Sequence, residues 1–466
     1  MVLSRIWSVF ILLSVVVATF FYFSKPNGKT MYSQMITGKS GDTTLTKTVD
    51  SLSLSKTIVQ QVELNAVYKK GNYRVTKSTD KKYISYYEQN ADGVLATAKT
   101  AVELSIGLIG IMALFMGFMR IAESAGGIRF LSRLIWPFFS RLFPEVPKGH
   151  ESMGHMMLNF SANLLGLDNA ATPFGIKAMQ SLQELNPTKT TASNAQIMFL
   201  CLHASGLTLI PVSIIALRSK LDAANPTDIF IPCLIATFTA TVAAMTIVGI
   251  KQRINLFQPI ILLWIGGISL FLASIIWYAS TLSKSSLELF SGTLSNGIIL
   301  LLFVAIIVGA LWKKVAVFDE FVEGAKNGFD TAIKIIPYLV GMLIAISLLR
   351  TSGTFDLVME GFRWVFSNLG ADTQFVDGLP TAMIKPLSGS GARGMMVDTM
   401  TAYGPDSFQG RLACILQGSS DTTFYVIAVY FGAVSIKNIR YSVGAMLLAD
   451  LVGIITAITV CYLWFT

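Results

Sequence analysis

Residues 387–400 read LSGSGARGMMVDTM, and the sequence around them decides which fold the chain adopts. Gly389, Gly391 and Gly394 have the G-x-G-x-x-G spacing of a dinucleotide-binding turn, which requires a preceding strand and a following βαβ unit. The flanking sequence predicts neither, and the P-loop pattern G-x-x-x-x-G-K-S/T is absent from the chain. The glycines therefore interrupt an apolar, helix-forming region, and we do not interpret them as a nucleotide site.

The composition is that of a polytopic membrane protein. Of the 466 residues, 53% are hydrophobic and only 14% are charged, and the mean hydropathy is +0.60. The net charge of +9 fits basic cytoplasmic loops better than nucleic acid binding, because Lys and Arg accumulate on the cytoplasmic side of membrane proteins. We expect a protein of the bacterial inner membrane that contacts lipid and no nucleic acid.

Apolar runs predict nine membrane-spanning helices and two re-entrant hairpins. The spans lie near residues 5–23, 97–119, 194–217, 227–250, 257–280, 294–312, 335–349, 409–434 and 441–465. Residues 151–183 and 380–403 are helix-forming sequences broken by Gly, Pro and Ser, and irregular backbone at membrane depth must lie inside protein or beside water. The first span lacks an A-x-A cleavage site, which favours an anchor helix over a secretory signal peptide.

The basic residues predict the orientation. With a cytoplasmic N-terminus, the basic stretches at 120–148, 251–253, 313–314 and 437–440 all fall on the cytoplasmic side. Residues 24–95 then lie outside the cytoplasm, as a small exported cap or a tethered loop.

The chain also repeats its own order of segments. Each half has a span ending in arginine, an amphipathic segment, a small-residue break and a span with a polar centre. The count of crossings between the two copies inverts the second relative to the first, which is typical of secondary transporters. The predicted organisation is an anchor helix (1–23), an exported insertion (24–95), a first repeat (96–256), a linking helix and loop (257–293) and a second repeat (294–466).

The small-residue break at 387–394 has two interpretations. A hairpin tip inside the membrane leaves N–H and C=O groups that water, an ion or a ligand must satisfy. Ser388 and Ser390 would offer hydroxyl groups to such a ligand. The alternative is close helix packing, which small residues favour in membranes.

Asp421 lies in QGSSDTTF, residues 417–424, the densest polar run in any predicted span. A charged residue at the centre of a membrane helix costs about 3 kcal/mol, so Asp421 should face a cavity or a partner. It contacts a solute or cation in one interpretation and forms a buried ion pair with Arg350 or Arg393 in the other.

His203 occupies the matching position in the first half, beside Ser205 and Thr208. It is either a packed, hydrogen-bonded side chain or a proton carrier. The four cysteines lie in apolar runs without a C-x-x-C pair or nearby histidines, so we expect neither disulfides nor a metal site. No G-x-S-x-G or H-E-x-x-H motif occurs, and we do not expect an enzyme.

Long motifs give the chain a family resemblance. Residues 1–22 and about 91–250 resemble spore maturation protein A through SIGLIGIMALFMGFMRIAE, LFPEVP, NLLGLDNAATPFGIKAMQ and LTLIPVSIIALR. Residues from about 294 to 466 resemble spore maturation protein B through FVEGAKNGFDTAIKIIPYLVGMLIA, KPLSGSGARG and YGPDSFQGRLACILQGSSDTTFYVIAVYFG. Each half resembles the nucleoside recognition, or Gate, domain, which is also found in concentrative nucleoside transporters and ferrous iron transporters.

The resemblance implies a solute site made by the two hairpins and the partly unwound helices after them, with Na+ or H+ as coupling ion and no other cofactor. Matching motifs place substrate contacts at Asn169, Thr172, Ser388, Ser390, Gln417, Ser419, Asp421 and Thr422. Coupling or pore-lining positions would be Asn163, Asp168, His203, Ser205 and Thr208. The sequence lacks the characteristic purine or pyrimidine contacts, a clear sodium site and a GTPase domain.

Taken together, these patterns predict a secondary transporter or channel for a small polar solute, with alternating access around a midplane site. A homo-oligomer is compatible with this prediction. The alternative is a non-transporting membrane scaffold for envelope or spore maturation, which would use the exported segment as its docking surface. A hydrolase embedded in the membrane is a more distant alternative.

Overall fold

The computed structural model describes residues 2–24, 28–50, 56–70, 73–79, 82–164, 168–282 and 284–466. In this part of the chain, eight helical segments are long and apolar enough to cross a membrane. They are Trp7–Ser24, Val94–Ser124, Phe230–Gln252, Pro259–Ala279, Gly292–Trp312, Val317–Thr351, Phe408–Ala433 and Ser442–Phe465. The chain is therefore an all-α polytopic membrane protein, as its composition predicts.

The insertion at 24–95 contains a small sheet that the sequence analysis did not predict. The chain begins with α1 (Val2–Ser24), a short 3-10 helix (Gly28–Thr30), α2 (Met31–Thr37), β1 (Gly38–Asp50), α3 (Lys56–Asn65), β2 (Val67–Lys70), β3 (Tyr73–Thr79) and β4 (Lys82–Asp92). The strands pair antiparallel in the order β1-β4-β3-β2. Val62, Val75 and Tyr83 form a core beneath them. Aromatic and β-branched residues on β3 favour a strand there.

The first half of the membrane region follows the insertion. Its helices are α4 (Val94–Gly107), α5 (Ile109–Ser124), α6 (Gly127–Leu142), α7 (Glu151–Leu164), α8 (Asp168–Leu185), α9 (Asn194–Ala204), α10 (Val212–Lys220) and α11 (Phe230–Gln252). Ser193 and Gln196 start α9 with a reciprocal capping box, which satisfies two backbone N–H groups that have no partner within the helix.

The second half repeats this order after two connecting helices, α12 (Pro259–Ser280) and α13 (Lys284–Trp312). Its elements are α14 (Val317–Thr351), α15 (Thr354–Asn368), a 3-10 helix (Gln374–Gly378), α16 (Leu379–Ile384), α17 (Gly389–Tyr403), α18 (Phe408–Gly418), α19 (Thr423–Ala433) and α20 (Ser442–Phe465). Thus α14 corresponds to α4 and α5, α15 to α6, and α20 to α11. We call α7–α8 and α16–α17 the first and second hairpins, and α9–α10 and α18–α19 the first and second interrupted helices.

The span predicted at 194–217 differs from the structure. It is not among the eight long apolar segments, because the helix stops at Ala204 and resumes only at Val212. Pro211 lacks a backbone N–H and immediately precedes the second piece. The predicted span at 409–434 is also interrupted, although its break is shorter, from Ser419 to Thr422.

Long helices pack the two halves together. In the contacts among described residues, α5 lies along α14, and α11 lies along α20. The N-terminal helix α1 also packs on α14, where Trp7 Nε1 donates to the carbonyl oxygen of Gly341 at 2.9 Å. Strand β4 of the insertion contacts α14 and α17, so the small sheet rests on the second half.

A buried network of charges joins α10 to the start of α18. The fully buried Arg218 lies 2.8 Å from Asp228 and 3.2 Å from Asp406. Arg411 Nε donates to the other oxygen of Asp228 at 2.8 Å. Buried charges are tolerated only when each is paired and hydrogen-bonded, so the four side chains stabilise one another as a unit.

Arg218→Met is expected to destabilise the protein by about 3–5 kcal/mol, because it leaves buried carboxylates without their main counter-charge. Thermal unfolding in detergent measures this loss. The matched control is Lys326→Met, which removes an exposed ion pair with Glu323 and should change the unfolding temperature little. Equal effects of the two substitutions would contradict the stabilising role of the network.

Candidate functional site

The two interrupted helices run antiparallel, side by side. The end of α10 reaches the loop before α18, where Arg218 Nη1 donates to the carbonyl oxygen of Pro405 at 2.5 Å. The residues after α19 reach the loop before α9, where the backbone N–H of Lys437 donates to the carbonyl oxygen of Thr190 at 2.9 Å. Because each helix ends beside the start of the other, their breaks meet near the middle.

Backbone atoms join the two breaks directly. The N–H of Asp421 donates to the carbonyl oxygen of Ala204 at 2.8 Å. Gly206 has a φ of +64°, and a Cβ added there would lie 2.9 Å from the nitrogen of Asp421 and 3.0 Å from the carbonyl carbon of Ser420. Only glycine combines this backbone conformation with such a close approach, so Gly206 permits the junction.

Each hairpin is bonded to the interrupted helix that follows it. The N–H of Leu209, in the first break, donates to the carbonyl oxygen of Leu164 at the end of α7 at 2.8 Å. The N–H of Phe424, at the start of α19, donates to the carbonyl oxygen of Pro386 between α16 and α17 at 2.9 Å. Backbone groups released by the broken helices are thus partly satisfied by the hairpins, as burial in a membrane requires.

His203 lies at this junction and links three elements. Its Nδ1 atom is 2.7 Å from Asn163 Nδ2 and 3.0 Å from Asn159 Oδ1, both on α7. Its Nε2 atom is 3.7 Å from a carboxylate oxygen of Asp421. The ring of Tyr430, on α19, meets the imidazole edge to face with 4.8 Å between the ring centroids. His203 is therefore held in position by packing and hydrogen bonds.

Asp421 is the accessible member of this pair. Its side chain is 43% exposed, whereas that of His203 is only 4% exposed, so the junction is open on the Asp421 side. The sequence left an ion pair with Arg350 or Arg393 as one alternative; Arg350 instead pairs with Asp398, whose two carboxylate oxygens each lie 2.6 Å from Arg350 Nε. One oxygen of Asp421 accepts a hydrogen bond from the N–H of Thr422 at 2.6 Å, so the break itself partly satisfies the carboxylate.

Three further predicted residues lie where the second hairpin approaches the second break. Gln417 Nε2 donates to the carbonyl oxygen of Gly389 at 3.4 Å. The hydroxyl oxygen of Thr422 lies 2.7 Å from the position that a Cβ on Gly389 would take. The buried Oε1 atom of Gln417 has no hydrogen-bond partner among the described residues. Ser390 is half-buried in the first turn of α17.

Other predicted hydroxyl groups are occupied within the protein. Ser388 Oγ accepts from Gly391 N at 2.9 Å, Ser419 donates to Leu416 O at 2.9 Å, Ser205 donates to Leu202 O at 2.7 Å, and Thr208 donates to Gly206 O at 2.9 Å. Ser205 also lies 2.9 Å from Thr241 Oγ1 on α11. These hydroxyls satisfy helix ends and breaks.

Three predicted site residues lie on α8 of the first hairpin, and the structure describes the side chain of one of them. Thr172 lies half-buried on α8. Asp168 and Asn169 belong to the first turn of α8, but their side chains lie outside the described residues. Their predicted contacts with a solute remain predictions.

The sequence analysis missed four polar residues that surround the junction: Asn159, Lys385, Tyr430 and Asp450. Asn159 precedes Asn163 by four residues and so shares its face of α7, a spacing that could have revealed it. Asp450 is a lone carboxylate inside the apolar helix α20, and such residues are functional candidates. Lys385 at the hairpin break and Tyr430 in α19 had no comparable signal.

Gly206→Ala is expected to destabilise the protein by about 1–3 kcal/mol, because alanine is strained at this φ and its Cβ would collide with the second break. Thermal unfolding in detergent provides the measurement. Gly110→Ala is the matched control, since nothing lies within 4 Å of the added Cβ on helix α5. An unfolding temperature for Gly206→Ala as high as that of the control would refute the close approach.

Comparisons with known proteins agree with this architecture. The Gate family model, described as nucleoside recognition, matches residues 105–251 and 332–437, which together make up more than half of the chain. Spore maturation protein B of Bacillus subtilis (strain 168) is 46% identical over 172 residues, which cover 37% of this chain and 95% of that protein. Spore maturation protein A of the same organism is 41% identical over 156 residues, 34% of this chain and 80% of that protein. No solved structure matches the chain.

Proposed function

Because the chain belongs to the Gate family of nucleoside recognition proteins, we propose that it is a membrane transporter or channel for a small polar solute. The observation that carries this proposal is the junction of the two interrupted helices. There, an accessible carboxylate, Asp421, lies beside the buried His203 where the breaks of two helices meet. Ionisable groups inside a membrane protein commonly mark a path for an ion or solute.

The contacts between the two halves support an inverted repeat. Helix α20 packs against α9 of the first interrupted helix, and α11 packs against α18 of the second. The two interrupted helices are themselves antiparallel. A pseudo-two-fold axis in the membrane plane would produce both features, and the two hairpins would then enter from opposite sides as re-entrant elements. Rocking of one half against the other would expose the junction to each side in turn.

The acceptor groups at the junction favour a solute that donates hydrogen bonds. Asp421 supplies carboxylate oxygens, and Gln417 presents a buried amide oxygen that has no partner among the described residues. Thr422 and Ser390 add hydroxyl groups nearby. Acceptors of this kind match N–H or O–H groups on a neutral or cationic polar molecule.

Localisation follows from the same proposal. The membrane would be the bacterial inner membrane, with the N-terminus in the cytoplasm, because the basic loops then satisfy the positive-inside rule. The insertion with its four-stranded sheet would lie on the opposite side, resting on α14 and α17.

One observation favours a second candidate function, that of a membrane scaffold. The insertion folds into a sheet, lies outside both ranges matched by the Gate family model, and could bind a partner in envelope or spore assembly. Both curated relatives carry the name of spore maturation proteins. A scaffold would lose function when residues 38–92 are replaced by a short linker, whereas a transporter would retain solute binding.

The transport proposal predicts ligand-dependent stability. Purified protein is heated with nucleosides, nucleobases, amino acids, short peptides and sugars, each in large excess. A solute present at about 100 times its Kd should stabilise the folded state by about 2.7 kcal/mol and raise the unfolding temperature. The Asp421→Asn variant should show no such increase with the same solute, because it loses the carboxylate charge at the junction.

The control is Asp319→Asn, which removes an exposed carboxylate from the first turn of α14, outside the junction. It should respond to the solute as the wild type does. A solute that stabilises Asp421→Asn and wild type equally would contradict the assignment of the junction as the binding site.

A further inference from the structure

A second ionisable group lies inside the membrane region, separate from the pair of His203 and Asp421. Asp450 is on α20, in a stretch that reads SVGAMLLADLVGIITAITV, and is only 4% exposed. One of its carboxylate oxygens accepts a hydrogen bond from the hydroxyl of Thr423 at 2.6 Å. Ser420 lies beside the same side chain in a shared crevice. Both hydroxyls flank the break of the second interrupted helix.

The second hairpin brings a positive charge to this carboxylate. Lys385, at the break between α16 and α17, is 8% exposed and lines the same narrow crevice as Asp450, together with Ser419 and Ser420. Opposite charges placed this close inside a protein attract each other. Asp450 therefore links three elements: the fixed helix α20, the break of the second interrupted helix and the second hairpin.

The other ionisable groups near Asp450 come from the helices packed around α20. Asp421 lies at the second break, and Cys201 and His203 lie on α9, which packs on α20. The charged residues of α18 and α11 lie at the two ends of α20. Arg411 of α18 stacks over Phe465 at the C-terminal end, at 4.6 Å. Lys251 of α11 is next to Gln252, which donates to the hydroxyl of Tyr441 at the N-terminal end. Lys385 is thus the cation that most directly opposes protonation of Asp450.

We propose that Asp450 is a proton-binding site and that its protonation releases the second hairpin by removing the attraction between Asp450 and Lys385. The carboxylate takes one proton from water and becomes a neutral carboxylic acid, while Lys385 keeps its charge. The hairpin is then no longer attracted to α20 and moves relative to the second break. This inference rests on the proposed transport function, for which it supplies the coupling ion.

The surroundings of Asp450 favour a proton over a sodium ion. A sodium ion keeps its charge when bound and needs several coordinating oxygen atoms. The nearby ammonium group of Lys385 also repels any cation that remains charged when bound. A proton neutralises the carboxylate and needs no further ligands.

Hydrogen exchange of the backbone amides in residues 385–395 tests the proposal without any solute. Rates are measured at acidic and at mildly alkaline pH and corrected with an unstructured reference peptide. Wild-type protein should exchange about tenfold faster in this segment at acidic pH, because the released hairpin opens more often. Asp450→Asn, which mimics the protonated state and still accepts from Thr423, should exchange at the fast rate at both pH values.

Two further variants identify the group that responds. Lys385→Gln removes the other end of the attraction and should also give fast exchange at both pH values. His203→Gln removes the histidine at the junction and should keep the pH response of the wild type. Each variant counts as folded if the backbone amides of α11 exchange at the wild-type rate. If Asp450→Asn does not fold, Lys385→Gln alone tests the attraction between the two side chains.

The proposal is overturned if wild type shows no pH response, if Asp450→Asn keeps the wild-type response, or if His203→Gln abolishes it. It is also overturned if sodium at constant pH changes exchange in wild type but not in Asp450→Asn, since the site would then take sodium. If hydrogen exchange does not respond as predicted but a solute still stabilises the protein, only the proton site is rejected. A pH response without any stabilising solute would instead reject transport and leave the proton site standing.

Discussion

The hydrogen bond from the N–H of Asp421 to the carbonyl oxygen of Ala204, at 2.8 Å, is the interaction on which the rest of the structure depends. A helix broken inside a membrane exposes backbone groups that lipid cannot satisfy. Here two breaks are placed against each other, and each is also bonded to a neighbouring hairpin. Three features bring the two breaks together. The interrupted helices are antiparallel, Gly206 allows a close approach, and α11 packs on α20.

Charged residues in the membrane region fall into two groups with different physical roles. Arg218, Asp228 and Arg411 are saturated with partners, so their network fixes α10 against the start of α18. Asp421 and Asp450 have few charged partners and lie beside breaks in helices. The first group holds the scaffold, and the second is suited to binding a solute or a proton.

Much of this architecture could be predicted from the sequence, because a membrane imposes strong rules on composition. Apolar length located most of the long helices, and Gly, Pro and Ser located the two hairpins. The breaks in the two interrupted helices were implied only by the family resemblance, because the residues alone predicted continuous spans at 194–217 and 409–434. Pair contacts were not predictable: the partner of Arg350 is Asp398, nearly fifty residues away, and no pattern identifies it. Asp450 was missed because it stands alone among apolar residues, although a single carboxylate in an apolar span is itself the signal. The sheet in the insertion was missed because its strands lie in a polar segment with mixed periodicity.

Alternating access, as proposed here, means that the junction opens to both sides of the membrane in turn. Ser390→Cys places one reactive thiol near it, and the four native cysteines are each no more than 3% exposed, so background labelling is low. The measurement is the rate at which a membrane-impermeant thiol reagent modifies this cysteine when added outside or inside sealed vesicles. Alternating access predicts that the reagent modifies the introduced cysteine of the Ser390→Cys variant from both sides. Modification from one side only, or from neither, would contradict alternating access at this site.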